Sequence, residues 1–142
     1  MPSPAVVLDT NVLVAAGFNP RSASANIVEA VKQGQLRMVW NEATRREIEH
    51  IMQHIPPLRA HDLSELFRPE DRYPAPTHPQ RFASIPDPDD RQFAALAHAT
   101  DAMLISNDDH LLRHRDRMEV TVLTPHEFWH RHQCSNHAQG RT

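Results

Sequence analysis

Ala5-Val6-Val7-Leu8, followed at once by Asp9-Thr10-Asn11, is the stretch on which the fold turns. Four apolar residues with no polar alternation fit a strand buried on both faces, the habit of parallel sheets covered by helices. Parallel strands need crossover connections, and the rest of the chain supplies candidates. Val12 to Ala16 can open a helix. Ser22 or Ser24 caps a second one, with Ile27, Val28 and Val31 on one face and Gly34 as its stop signal. Leu36 to Trp40 reads as strand two. Asn41 then suits the N-cap of a helix running from Glu42 to about Ile55, with Ile48, Ile51, Met52 and Ile55 as its buried stripe. Asp87-Pro88-Asp89-Asp90 starts a further helix that carries Phe93, Ala94, Leu96 and Ala97 inward and ends near Thr100. Ala102 to Ile105 is a third strand, residues 110 to 114 a short helix, and Val120 to Leu123 a fourth strand. Thr124-Pro125-His126-Glu127 joins a capping box to a proline at the first helical position, so a last helix begins there. Strands alternating with helices predict a three-layer α/β/α sandwich around a central, mainly parallel sheet of four to five strands.

The chain has 142 residues, 39% hydrophobic and 23% charged, which suits one domain over 1–142 with a real core. Its mean hydropathy is low, −0.59, because the composition is unusual: 11 His, 12 Pro, 3 Gly, and arginine in place of all lysines but Lys32. The prolines crowd into a connecting segment over 56–88, and histidines mark a C-terminal tail over 130–142. A short helix around Asp62 to Phe67 fits inside the proline-rich segment. The remainder reads as irregular connection, long enough for a lid or partner-binding element or else a surface insertion. The lone Cys134 excludes an internal disulfide and a cysteine-rich zinc site. No apolar run approaches the roughly 20 residues that span a bilayer, and the N-terminus has no basic flank. A cytoplasmic protein with no membrane partner is therefore expected. The net charge of −3 argues against a module that holds nucleic acid by bulk electrostatics. It leaves room for an enzyme whose acidic site is neutralised by cations.

The acids fall where a parallel sheet would gather them, because ligands bind beyond the carboxyl ends of its strands. Asp9 follows strand one and Asp108 follows strand three, while Glu47 and Asp90 lie near the starts of two helices. Four carboxylates in one pocket repel one another, and divalent cations relieve that repulsion. All-oxygen ligand sets suit Mg²⁺ or Mn²⁺, and such sites hydrolyse phosphodiesters through a metal-activated water. Each acid alone also has a structural reading, as a helix cap, a dipole partner or a solvated helix face. His50 and His54 at i, i+4, and His126, His130 and His132 in the last helix, have spacings that can bind transition metals. They read as solvated helix faces.

Val6 to Val14, VVLDTNVLV, resembles the opening motif of the PIN-domain ribonucleases, in which a strand ends in D-T-N. The later pieces follow in that family's order: Asn41 to Glu47, Asp87 to Ala97, Leu104 to Leu112, and Val122 to Phe128. The subgroup it most resembles is the VapC-like toxins of toxin–antitoxin pairs. The resemblance implies a Mg²⁺- or Mn²⁺-dependent endoribonuclease with Asp9, Glu47, Asp90 and Asp108 as its acidic quartet. Glu47 would hold metal directly or through water. Asn11 and Ser106 match positions that support the quartet by hydrogen bonding, and Arg45, Arg46 and Arg91 flank it as candidate contacts to substrate phosphates. An RNA substrate, a cognate antitoxin and a homodimer are the partners implied. A degenerate, non-catalytic binding module and a structure-specific DNA nuclease are the alternatives. His110 departs from the family, which often has Asp there. Receiver-like and dehalogenase-like domains also collect acids at strand ends, but both need a late lysine, and Lys32 comes too early.

Overall fold

The computed structural model describes residues 3–139, and the side chains of 3–134. Four short strands, β1 (Ala5–Leu8), β2 (Arg37–Met38), β3 (Met103–Ile105) and β4 (Val122–Leu123), form one sheet in the order β2-β1-β3-β4. Every pairing is parallel, with Val6 opposite Met38 on one side and Val6, Val7 and Leu8 opposite Met103, Leu104 and Ile105 on the other. Helices flank the sheet in an α/β/α sandwich: α1 (Thr10–Phe18), α2 (Ala23–Lys32), α3 (Glu42–Gln53), α4 (Pro88–Thr100), α5 (Asp109–Arg113) and α6 (Pro125–Gln139). The sheet has four strands, the lower end of the expected range.

The caps fall where local chemistry puts them. Ser22 Oγ accepts from Ala25 N at 3.1 Å, and Asn41 and Thr44 cap α3 reciprocally. Asp87 caps α4, and Thr124 and Glu127 close a capping box at α6. Gly34 takes φ +81° after α2, a conformation that costs glycine little. Val6, Val7, Leu8, Leu104 and Ile105 are all at most 1% exposed, as two-sided burial of the central strands requires. Of the stripe on α3, Ile48 and Met52 are buried while Ile51 and Ile55 are half-buried.

Strand two is shorter than its apolar run, because Trp40 leaves the β1 edge and bridges Arg72 instead. Trp40 N donates to Asp71 O at 3.3 Å, and Tyr73 N donates to Trp40 O at 2.8 Å. The proline-rich segment thus covers the outer edge of the sheet, where unpaired strand groups would invite aggregation. The segment is no superficial insertion. It buries Leu58, Leu66, Phe67, Asp71, Phe82 and Ile85, and the carboxylate of Asp71 receives Arg37 Nε at 3.0 Å. The helix expected at Asp62 to Phe67 is absent. Three single 3-10 turns, Pro56–Leu58, Pro69–Asp71 and Pro79–Phe82, stand in the segment, each opened by a proline that presets φ and lacks an N–H. Strand four is also shorter than its apolar run. His132 is buried rather than solvated, with its ring stacked on Phe128 and beside Trp129. Part of the histidine-rich tail, including His137, lies outside the residues whose side chains are described.

Candidate active site

The strand order places a switch point between β1 and β3, since the chain leaves β1 for β2 on one side and returns to β3 on the other. Loops diverge there and open a crevice at the carboxyl ends of the strands. Asp9 leaves β1 and donates its main-chain N–H to Ile105 O at 3.0 Å, while Ser106 N donates to Leu123 O at 3.0 Å. Asp90 enters from the first turn of α4, which packs against both central strands. Carboxylate oxygens of Asp9, Asp90 and Asp108 lie within 4.8 Å of one another.

Ser106 organises this trio. Its Oγ, fully buried, donates to Asp9 Oδ2 at 2.7 Å and accepts from Asp108 N at 2.9 Å. Asp108 also caps α5, its Oδ1 accepting from His110 N at 2.7 Å. Burial raises the carboxyl pKa of Asp9, with Ser106 and the main-chain N–H groups of Asn11 and Thr10 opposing the rise and Asp108 adding to it. The Asp90 carboxyl is pushed up to about 8, first by burial and then by the negative charges of Asp9 and Asp108. A buried concentration of negative charge that strong favours a proton or a divalent cation. Among the described residues, the single buried side-chain oxygen without a hydrogen-bond partner is Thr10 Oγ1, immediately after Asp9. Three convergent carboxylates are a hard-oxygen donor set of the kind that Mg²⁺ and Mn²⁺ take.

Glu47 is not in the trio. Its carboxyl is half-buried on α3, facing Asp89, and its pKa is raised by burial and then by the charge and hydrogen bond of Asp89. Asn11 is exposed and offers Asp9 its main-chain N–H rather than its side chain. Two of the three candidate phosphate contacts are committed elsewhere. Arg45 lies over the rings of Trp40 and Phe67 and is ion-paired with Glu49. Arg91 Nε donates to Ile85 O at 2.7 Å, and its Nη2 donates to the carbonyls of Ala83 and Pro86, both at 3.4 Å. The side chain of Arg46 makes no ion pair or hydrogen bond among the described residues and lines one cavity with Glu47, His50, Asp89 and Gln92. Sequence reasoning missed Asp89 as the neighbour of Glu47. Its signal, a third acid in the D-P-D-D run, is equally that of a helix start opposing its dipole. His50 and His54 pack ring to ring on α3, 4.3 Å between centroids.

No curated protein matches the chain by sequence. Among solved structures, a crystal structure of VapBC2 from Rickettsia felis bound to a DNA fragment from their promoter contains a chain of the same fold. The two share 16% identity at a TM-score of 0.57, and the alignment covers 84% of this chain and 98% of that one. The family model that matches is that of the PIN domain, over residues 5–110, which takes in β1, the acidic trio and Glu47. The chain belongs to the PIN-domain family, a family of nucleases.

Proposed function

We propose that this protein is a Mg²⁺- or Mn²⁺-dependent endoribonuclease acting in the cytoplasm, and the toxin of a toxin–antitoxin pair. The observation that carries the chemistry is the convergence of Asp9, Asp90 and Asp108 on one point beside the switch of the sheet. These three would hold the ion, and Glu47, standing apart, would act on it through water. A bound divalent ion supplies Lewis acidity at the scissile phosphate and a water acidic enough to attack it. The chain does the rest. Ser106 keeps Asp9 and Asp108 in one orientation, so little reorganisation accompanies binding. Asp90, whose carboxyl burial and the charges of Asp9 and Asp108 push toward its protonated form, would release that proton on holding the ion. No residue needs to form a covalent intermediate, and the trio offers carboxylates rather than an activated serine or cysteine. Membership of the PIN family supports nuclease activity. The structural likeness to a chain of VapBC2 supports a protein partner that restrains the nuclease.

The test is cleavage of single-stranded RNA by the purified chain with Mn²⁺. Asp9→Asn and Asp108→Asn, shown to be folded by circular dichroism, are expected to lose at least about 100-fold in rate. Cleavage by either at the parent rate sinks the assignment. Growth arrest on expression, relieved by the product of an adjacent small open reading frame, is the expected result for the toxin role.

A further inference from the structure

Between the first half of α3 and the start of α4 lies a cavity of about 520 Å³ lined by Ala43, Arg46, Glu47, His50, Asp89 and Gln92. It borders the acidic trio. Asp89 and Asp90 are consecutive, and successive side chains diverge by about 100° around a helix. Asp90 therefore enters the buried cluster while Asp89 lines the cavity. The polar lining groups are unusually available. The side chains of Arg46 and the half-buried Gln92 make no hydrogen bond among the described residues, and the carboxyls of Glu47 and Asp89 face each other. Arg46 cannot be spent on Glu47, because neighbours at i, i+1 do not face one another on a helix. Arg45 and Arg91, by contrast, are tied into the aromatic pair and the proline-rich segment.

One uncommitted cation, one uncommitted amide and a pair of carboxyls suit a ligand that presents an anion together with hydroxyl or amino donors. A nucleotide unit of RNA has that composition: a phosphate, a 2′-hydroxyl and base-edge amino groups. The carboxylate side chains of an acidic peptide would satisfy Arg46 but bring no donor to Glu47 and Asp89. We infer that this cavity is a nucleotide subsite adjoining the scissile position, in which Arg46 holds the next phosphate of a single RNA strand. Gln92 and the Glu47–Asp89 pair face its sugar and base. This rests on the nuclease reading above and extends it by naming how the strand is held.

Two measurements on the full chain test the subsite. Binding of a fluorescently labelled single-stranded RNA is followed by anisotropy over a range of salt concentrations. Arg46→Ala is expected to bind about tenfold more weakly and to lower the slope of log affinity on log salt by about 0.7, one phosphate contact on a single strand. Arg46→Lys keeps the slope, and Gln92→Ala weakens binding severalfold without changing it. In cleavage with Mn²⁺ the loss in Arg46→Ala falls on KM rather than kcat. A substrate with one neutral methylphosphonate beside the scissile bond loses as much with the parent, and loses nothing further with Arg46→Ala. An unchanged slope in Arg46→Ala, or independent losses from the variant and the neutral linkage, overturns the subsite while leaving the nuclease reading intact. If Arg46→Ala shows the slope change but the parent cleaves nothing, the subsite stands and the nuclease reading falls. If the parent binds no RNA, the subsite falls.

Discussion

Replacing Asp90 by asparagine removes one ionisable carboxyl from the trio at almost constant volume, and its effect on stability has a definite sign. In the folded chain this carboxyl holds its proton up to about 8, against an ordinary value of 3.8. Between those values the folded chain binds a proton that the unfolded chain has released, so stability falls as pH rises through the window. At about 1.4 kcal/mol per pH unit, the interval caps the penalty near ~6 kcal/mol. Asp9 and Asp108 remain in the variant and still repel each other, so roughly half of that, about 3 kcal/mol, is expected to appear on substituting Asp90 alone. About two thirds of that interval lies between pH 5 and pH 8, so Asp90→Asn should gain on the parent by about 2 kcal/mol, roughly 4–8 °C in Tm, over that range in the presence of EDTA. Urea or thermal unfolding of both proteins measures this, and taking the difference cancels the titration of the histidines. Mn²⁺ should stabilise the parent at the higher pH and the variant far less, since the ion replaces the proton. A parent-to-variant difference that stays constant from pH 5 to pH 8 without metal would refute the repulsion on which the site is built.

Ser106→Ala leaves Asp9 Oδ2 without its donor and Asp108 N–H without its acceptor. The expected cost is about 1–3 kcal/mol of stability and about 10- to 100-fold in Mn²⁺ affinity by calorimetric titration; unchanged affinity would deny Ser106 its positioning role. Gly17 is close-packed on the proline-rich segment, where an added Cβ would lie 2.5 Å from Leu58 Cδ2. Gly17→Val is expected to destabilise by about 1–3 kcal/mol, and Leu58→Ala to cost less in that background than alone. Additive energies in urea unfolding would show that the contact does not hold the segment in place.

Much of the molecule was legible in the order of residues. Asn41 before Glu42, Thr124 three residues before Glu127, and Asp87 before Pro88 locate helix starts because capping acts within one turn. The uniformly apolar Val6-Val7-Leu8 and Leu104-Ile105 mark central parallel strands because both faces must be covered. The proline-rich segment was opaque for a physical reason. Its 3-10 turns have no sustained period, and its burial comes from single side chains such as Phe67 and Phe82 that meet distant partners. Arg91 shows the same limit, since beside an acid it reads as a phosphate contact yet it binds three carbonyls of that segment.

Outside the proline-rich segment, sequence alone determined the elements, their parallel arrangement and the presence of acids at two strand ends, because these follow from periodicity, capping and the carboxyl-edge rule. Which of those acids meet was decided only in three dimensions. The order β2-β1-β3-β4 sets Asp9 against Ser106 and Asp108, and the packing of α4 on β1 and β3 brings in Asp90. The rotation of α3, with Ile48 and Met52 buried, turns Glu47 toward Asp89 instead of toward the trio. Neither outcome is encoded within a turn of the residue concerned. Both depend on how elements far apart in the chain fit around one core.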